Sequence, residues 1–224
     1  MGNRVAKDAL FEALAGAAKA LGNGRRAELV DVLVQGERSV EELAGEIGQS
    51  VANTSQHLQH LLRAGLVRTR RDGNRIHYSL ASAQVAQLWA LARDVAAEHV
   101  GELEGLAAAY VGDRSRLQTM TRSELAARLR DGDVVVVDVR PVAEYDAGHI
   151  SGAMALPLPE LTARLRRIPK DRQVVAYCRG PYCVFADDAV RALRRRGYDA
   201  VRLEDGFPEW AHAGLPTSQR IPAS

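Results

Sequence analysis

The sequence predicts two domains of different class. The first is mainly α with one β-hairpin; the second is α/β with a mostly parallel central sheet. Three observations carry this. Up to Gly65, apolar residues recur at helical spacing and are punctuated by Gly22-Asn23-Gly24, Gly36 and Gly48. Residues 66–80 alternate apolar and polar on both sides of Asp72-Gly73, a strong two-residue turn signal. Beyond residue 118, apolar strand-like runs alternate with helical patterns over short links, which implies parallel strands with helices on both faces. A chain of 224 residues fits one or two domains at roughly 100–200 residues each, and 46% hydrophobic residues supply real cores.

Composition narrows the classes. Net charge is +2, so there is no global basic field. No apolar run nears the ~20 residues of a membrane span. Met1 to Leu21 mixes Ala and Leu with Lys7, Asp8, Glu12 and Lys19, which reads as an amphipathic helix and not a secretory signal. These features predict a cytoplasmic protein with no membrane partner. Cysteines there stay mostly reduced, so Cys178 and Cys183, the two in the chain, are read as reactive groups and not as a structural staple. Charge is unevenly spread. Arg63, Arg68, Arg70, Arg71 and Arg75 face one acid, Asp72, over 63–75, a candidate phosphate-binding patch. Arg194-Arg195-Arg196 closes a predicted helix, where the dipole favours cations, and is read as structural.

In chain order, residues 5–21 read as a helix with Val5, Ala9, Ala13, Ala17 and Leu21 near helical spacing. A second helix spans about 25–35. Ser39 caps a third, with Glu42 at the capping-box position, and this helix stops near Gly48. Ser50 caps a fourth, about 51–64, closed by Gly65. Two short helices around a Gly-containing turn form the helix-turn-helix pattern. On a wheel of about 100° per residue, Val51, Ser55, Leu58 and Leu62 of the fourth helix point inward. Asn53, Gln56, His57 and His60 point outward. The outer face has no carboxylate and several groups able to pair with base edges, which suits a recognition helix in a major groove. The basic hairpin straight after it is a wing, its arginines placed to hold phosphates or reach the minor groove. The candidate DNA-binding residues are Ser50, Asn53, Thr54, Gln56, His57, His60, Arg68, Arg70, Arg71 and Arg75.

The block Glu42-Leu43-Ala44, Gly48-Gln49-Ser50, Thr54-Ser55-Gln56-His57-Leu58 and Leu62-Arg63-Ala64-Gly65-Leu66-Val67, followed by the wing with Tyr78, resembles the ArsR family of winged-helix repressors over about residues 5–110. The resemblance implies a homodimer on a palindromic double-stranded operator, with DNA released when a ligand binds. Metal-sensing members carry cysteines in the third helix; Val40 to Ile47 has none. Zinc-sensing members pair two motifs on the last helix; His99-x-x-Glu102 matches one, but Ala86 and Leu88 stand at the partner positions. No metal or other cofactor is expected. His99 falls on the stripe Val85, Leu88, Ala92, Val95, Leu103, Leu106 and Tyr110 of a helix expected over about 82–110. That stripe is read as a dimer seam, together with the helix near 5–21, and His99 as an interface residue.

In the second half, strands are expected at 134–139, 153–155, 173–177 and 200–203, with helices at about 121–130, 159–167 and 183–196. Cys178-Arg179-Gly180-Pro181-Tyr182-Cys183 therefore leaves the carboxyl end of a central strand, where such sheets place ligands. Backbone N–H groups and the dipole of the following helix favour a thiolate there. Asp138-Val139-Arg140, Glu144-Tyr145, Gly148-His149-Ile150-x-Gly152-Ala153, the cysteine loop and Gly206-Phe207-x-x-Trp210, taken in order, resemble a rhodanese domain over about 118–216. The resemblance implies that Cys178 is a sulfur-carrying nucleophile. It implies a persulfide cradled by the backbone of Arg179, Gly180, Pro181, Tyr182 and Cys183, and a loop braced by Asp138 and Arg140. Phosphatase and arsenate-reductase relatives need an arginine six positions after the cysteine; Val184 stands there, so sulfur transfer fits better. Thiosulfate-using members end the loop in Arg or Thr, whereas this one ends in Cys183. Cys183 is read as a resolving thiol or as a small side chain under the helix start, and bonding to Cys178 requires Cα atoms within about 7 Å.

The expectation is therefore a winged-helix DNA-binding and dimerisation domain over 1–111, a linker over 112–117 and a rhodanese-like domain over 118–224. The expected function is a DNA-binding regulator, with repression the favoured direction. Its second domain senses or transfers sulfane sulfur from a persulfide, polysulfide or thiosulfate through Cys178, with Arg179, Cys183, Asp138 and Arg140 in support. The alternative is a sulfurtransferase whose winged helix localises or dimerises it.

Overall fold

The computed structural model describes residues 2–220. Met1 and residues 221–224, the outer ends of the two expected domain ranges, lie outside the described residues. The chain divides into two compact units between His99 and Val100.

The first unit opens with α1 (Arg4–Leu21), capped by the Asn3 side chain, and α2 (Gly24–Val34). After β1 (Arg38–Ser39) comes α3 (Val40–Glu46), which starts at the expected capping box: Ser39 N–H donates to Glu42 at 2.7 Å and Glu42 N–H to the Ser39 hydroxyl at 3.3 Å. Then follow α4 (Val51–Arg63), β2 (Val67–Asp72), β3 (Arg75–Leu80) and α5 (Ala83–His99). The strands form one antiparallel sheet in the order β1-β3-β2. Asp72 pairs with Arg75, so Gly73-Asn74 is the two-residue hairpin loop. Leu29, Val30, Leu33, Leu43, Leu58, Leu61, Leu66 and Tyr78 make the core. The buried face of α4 differs from the wheel: Thr54, Leu58 and Leu61 are buried, while Val51 is exposed. A phase error of one residue turns a helix by about 100°, and packing against α2 and α3 selected the neighbouring face.

The helix expected over 82–110 is two helices. α5 stops at His99, and α6 (Leu103–Val111) begins after Val100-Gly101-Glu102 in the second unit. Glycine, about 1 kcal/mol worse than alanine inside a helix, follows β-branched Val100 at this break. Apolar side chains remain exposed along α1 (Val5, Leu10, Phe11, Leu14), α5 (Leu91, Val95) and α6 (Leu106, Tyr110).

The second unit continues with β4 (Thr119–Met120), α7 (Arg122–Asp131), β5 (Val134–Asp138), α8 (Val142–Ala147), β6 (His149–Ile150) and β7 (Met154–Ala155). It ends with α9 (Leu158–Arg164) running into a 3₁₀ turn (Leu165–Arg167), β8 (Gln173–Cys178), α10 (Phe185–Arg195), β9 (Ala200–Gly206), α11 (Phe207–His212) and β10 (Thr217–Ser218). The main sheet, β4-β9-β8-β5-β7, is parallel throughout, with β8 at its centre. Alternate residues feed two cores. Val135, Val137, Val174 and Ala176 pack with α9 and α10, while Val134, Val136, Val175, Val201 and Leu203 pack with Leu125 of α7 and Trp210 of α11. The segment expected as a linker is laid along α10: Arg191 donates to the Asp113 carbonyl and Arg194 to the Arg116 carbonyl.

Candidate functional site

β8 carries the chain from the middle of the sheet to Cys178, whose side chain is 1% exposed. Residues 179–184 turn back before α10 begins at Phe185, two residues later than expected. Cys178 and Cys183 are joined by a disulfide with Cα atoms 6.2 Å apart, inside the reach the sequence required. The loop is closed a second time by Cys183 N–H donating to the Gly180 carbonyl at 3.1 Å. Two members of the expected backbone cradle therefore drop out. Cys183 N–H is already engaged, and Pro181 has no N–H to give. Arg179, Gly180 and Tyr182 keep theirs as candidates.

The loop approaches β9 so closely that only glycine fits opposite it. A Cβ at Gly206 would lie 2.3 Å from Gly180 N and 2.4 Å from the Arg179 carbonyl carbon. Arg179, the one basic side chain in residues 178–183, turns away to α8: its Nη2 lies 2.6 Å from Glu144 Oε1, a carboxylate with no exposed surface. Its charge is thus answered by a buried acid.

Asp138 and Arg140 form a pair without solvent exposure. Arg140 Nη2 donates to Asp138 Oδ2 and to the Gly148 carbonyl, both at 2.6 Å, and its guanidinium stacks over Phe207 at 4.6 Å. Tyr177, next to Cys178 in β8, donates its hydroxyl to Asp138 at 2.5 Å and accepts from Ile150 N–H at 3.1 Å. Asp138 thereby ties two strand ends to the start of the cysteine loop. Burial opposes the charge on Arg140, but its hydrogen bond to Asp138 and that group's field outweigh it and hold its pKa above the ordinary value. Burial, with Asp138 beside it, drives the Tyr177 phenol well above its usual range.

A third charge cluster lies under the loop. Asp187, fully buried in the first turn of α10, meets Arg114 Nε at 2.6 Å and Arg202 Nε at 3.1 Å. Burial first, then Arg114, lowers the Arg202 pKa. Sequence reasoning passed over these residues. The available signals were an acid flanked by buried Ala186, Ala189 and Val190, and an arginine between Val201 and Leu203 in a strand.

On α4, Asn53, Gln56 and His60 are exposed and His57 is half-buried, as a reading face needs. One expected member does not share that surface: Thr54 has no exposure and bonds the Ser50 carbonyl. Ser50 is exposed, and its hydroxyl accepts from Asn53 N–H as the helix cap. In the wing, Arg70 is clamped by Glu37 at 2.6 Å and by Asp72 at 3.3 Å, bonds that raise its pKa. Arg68 bonds Ser79, Arg71 bonds the Gly73 carbonyl, and Arg75 is exposed.

A helix-turn-helix and basic wing in one unit, with a cysteine loop on a parallel sheet in the other, define a winged-helix DNA-binding regulator fused to an α/β domain. The family model described as "Bacterial regulatory protein, arsR family" matches residues 23–69, and that of the "Rhodanese-like domain" matches 121–213. The chain belongs to the arsR family of bacterial regulators, in a form that carries a rhodanese-like domain. It is similar along nearly its whole length to the HTH-type transcriptional regulator Rv0324 of Mycobacterium tuberculosis, 47% identical over 216 residues, covering 96% of this chain and 95% of the relative. Its second half resembles a sulfurtransferase of Allochromatium vinosum, 42% identical over 94 residues, or 41% of this chain and 86% of that protein. Its first half resembles the homodimeric winged helix-turn-helix domain of Mb0332 from Mycobacterium bovis at 43% identity, covering 46% of this chain and 94% of that one, with a TM-score of 0.42.

Proposed function

We propose that the protein is a cytoplasmic, homodimeric repressor that senses sulfane sulfur through Cys178, with Cys183 as the resolving thiol. One observation carries this reading: both thiols of the chain sit bonded to each other in one loop, while the DNA-reading unit has no cysteine. The reduced Cys178 thiolate takes the outer sulfur of a persulfide RSSH, giving Cys178–SSH and RSH. Cys183 then attacks Cys178 Sγ, forming the disulfide and releasing H₂S. The two thiols are oxidised, the sulfane sulfur is reduced to sulfide, and no further oxidant is needed. The N–H groups of Arg179, Gly180 and Tyr182 steady the anions on the way. Asp138, Arg140 and Tyr177 hold the strand end from which Cys178 acts.

The exposed apolar faces of α1 and α5, with the homodimeric state of the Mb0332 domain, support a dimer through those helices. Such a dimer places two copies of α4 on operator half-sites about one turn (~34 Å) apart. Among the described residues, no helix is long and apolar enough to cross a membrane. Intact mass and operator affinity, measured together before and after polysulfide, test the reading. Wild type is expected to gain sulfur or lose two hydrogens as its affinity changes, and Cys178→Ser to do neither. A Cys178→Ser protein that still responds to polysulfide overturns it. The similarity to a sulfurtransferase favours a second reading, in which the loop turns over steadily with a donor and an acceptor thiol. Multiple turnovers with an operator affinity indifferent to sulfur would select that one.

A further inference from the structure

Within the second unit, the segment between α6 and β4 sends one side chain into the cysteine loop. Arg114 uses its whole fork there. Nε donates to Asp187 at 2.6 Å, Nη1 to the Pro181 carbonyl at 2.6 Å and Nη2 to the Cys183 carbonyl at 3.1 Å. Asp187 has no exposed surface, and a carboxylate that deep needs cations beside it. Arg202 supplies charge to it at 3.1 Å without a hydrogen bond between the paired atoms, so Arg114 provides the directed contact. Arg202 Nη2 also lies 3.4 Å from the Pro181 carbonyl. Of the two carbonyls that Arg114 holds, that of Pro181 lies within the ring that the Cys178–Cys183 bond closes, and that of Cys183 is attached to the ring's last Cα. Opening that ring removes one of the two closures on 181–183 and leaves the Cys183 N–H bond to the Gly180 carbonyl, on backbone that no helix or strand holds. Hydrogen bonds weaken steeply with misalignment, so the grip of Arg114 follows the state of the ring.

We propose that Arg114 is a positioning residue that reports the state of the cysteine loop to the segment between α6 and β4. With the ring closed, Arg114 pins residues 113–117 against α10; with the ring open, the segment loosens. This rests on the sulfur-sensing reading for its purpose but not for its test. Hydrogen–deuterium exchange is followed at 112–118 in the full-length protein, reduced with dithiothreitol or oxidised with polysulfide. Intact mass selects samples of equal oxidation. Exchange in the oxidised wild type is expected to be about tenfold slower than in the reduced form. Arg114→Gln is expected to exchange fast in both forms. Arg114→Lys keeps a charge opposite Asp187 but lacks the planar fork whose three nitrogens reach Asp187 and the two carbonyls, and is expected to lose the difference too. Equal exchange in the two wild-type forms, or an Arg114→Lys protein that keeps the wild-type difference, overturns the proposal. Operator affinity on the same samples separates the two readings. A wild-type affinity indifferent to oxidation removes the sensing role, while the exchange result still decides the clamp.

Discussion

The arginines of the wing and those around the cysteine loop are the same residue in opposite uses. In the wing, Arg68, Arg71 and Arg75 stand in water with local partners or none, and their charge is available to phosphates. Around the loop, Arg140 and Arg202 are buried and Arg114 and Arg179 half-buried, and each faces a carboxylate without exposed surface. An exposed guanidinium acts on a partner molecule and is screened by salt. A buried one fixes geometry, because leaving its acid unpaired costs far more than the pair gains.

The largest break in this contrast is Arg140→Ala. It strands Asp138 in the core and frees the Gly148 carbonyl, and urea unfolding of the second unit is expected to show a loss of about 3–5 kcal/mol. A loss below about 1 kcal/mol would mean that the pair behaves like the surface pairs. Gly206→Ala comes next. Its Cβ meets loop backbone, not a flexible side-chain tip, so the loop has to move, at a cost of about 1–3 kcal/mol. Disulfide formation in that variant, followed by thiol titration, is expected to slow, whereas the wing's DNA affinity is untouched.

Tyr177→Phe is smaller. It removes the hydroxyl between Asp138 and Ile150 N–H, for about 1.5 kcal/mol. It also has a pH signature. The folded protein keeps the Tyr177 proton to a pH well above 10.0, while the unfolded chain releases its own near that value. The unfolded state then binds fewer protons, so stability is full below pH 10.0 and falls above it. The alkaline decline is expected to be shallower in Tyr177→Phe; an unchanged slope in unfolding experiments at pH 9–11 (about one unit either side of the free phenol) would assign it to other groups.

The contrast also explains what could be read from the sequence. Local patterns were legible: the Ser39–Glu42 box, the 66–80 hairpin, the strand ending at Cys178 and the helix after it. Pairings between distant positions were not. Asp187 meets arginines from positions 114 and 202, and Arg70 meets Glu37, thirty-three residues away. Nothing in spacing marks such partners, because each side chain is ordinary in its own segment. Thr54 failed for another reason: adjacent faces of α4 offer similar apolar residues, and only packing chooses between them. The proton missing from Pro181 was legible, since an imide nitrogen has none in any fold.

The smallest effect separates two arginines in one hairpin. Arg75 is exposed and its charge is available, while Arg70 is drawn to Glu37 by two nitrogens and to Asp72 by a third. A phosphate contact by Arg75 releases one counterion, so Arg75→Ala is expected to lower the slope of log affinity against log salt by about 0.9. Arg70 can take a phosphate only by giving up Glu37, so Arg70→Ala is expected to leave the slope nearly unchanged. Glu37→Gln is the sharper probe. It loosens Arg70, leaving only the Asp72 contact, without touching the exposed face of α4, and operator affinity is expected to rise at low salt and to become more salt-sensitive. Equal slopes for Arg70→Ala and Arg75→Ala, or no change in Glu37→Gln, would mean that the Glu37 clamp opens on DNA. The wing would then belong with the loop, as a region whose arginines are held until a partner arrives.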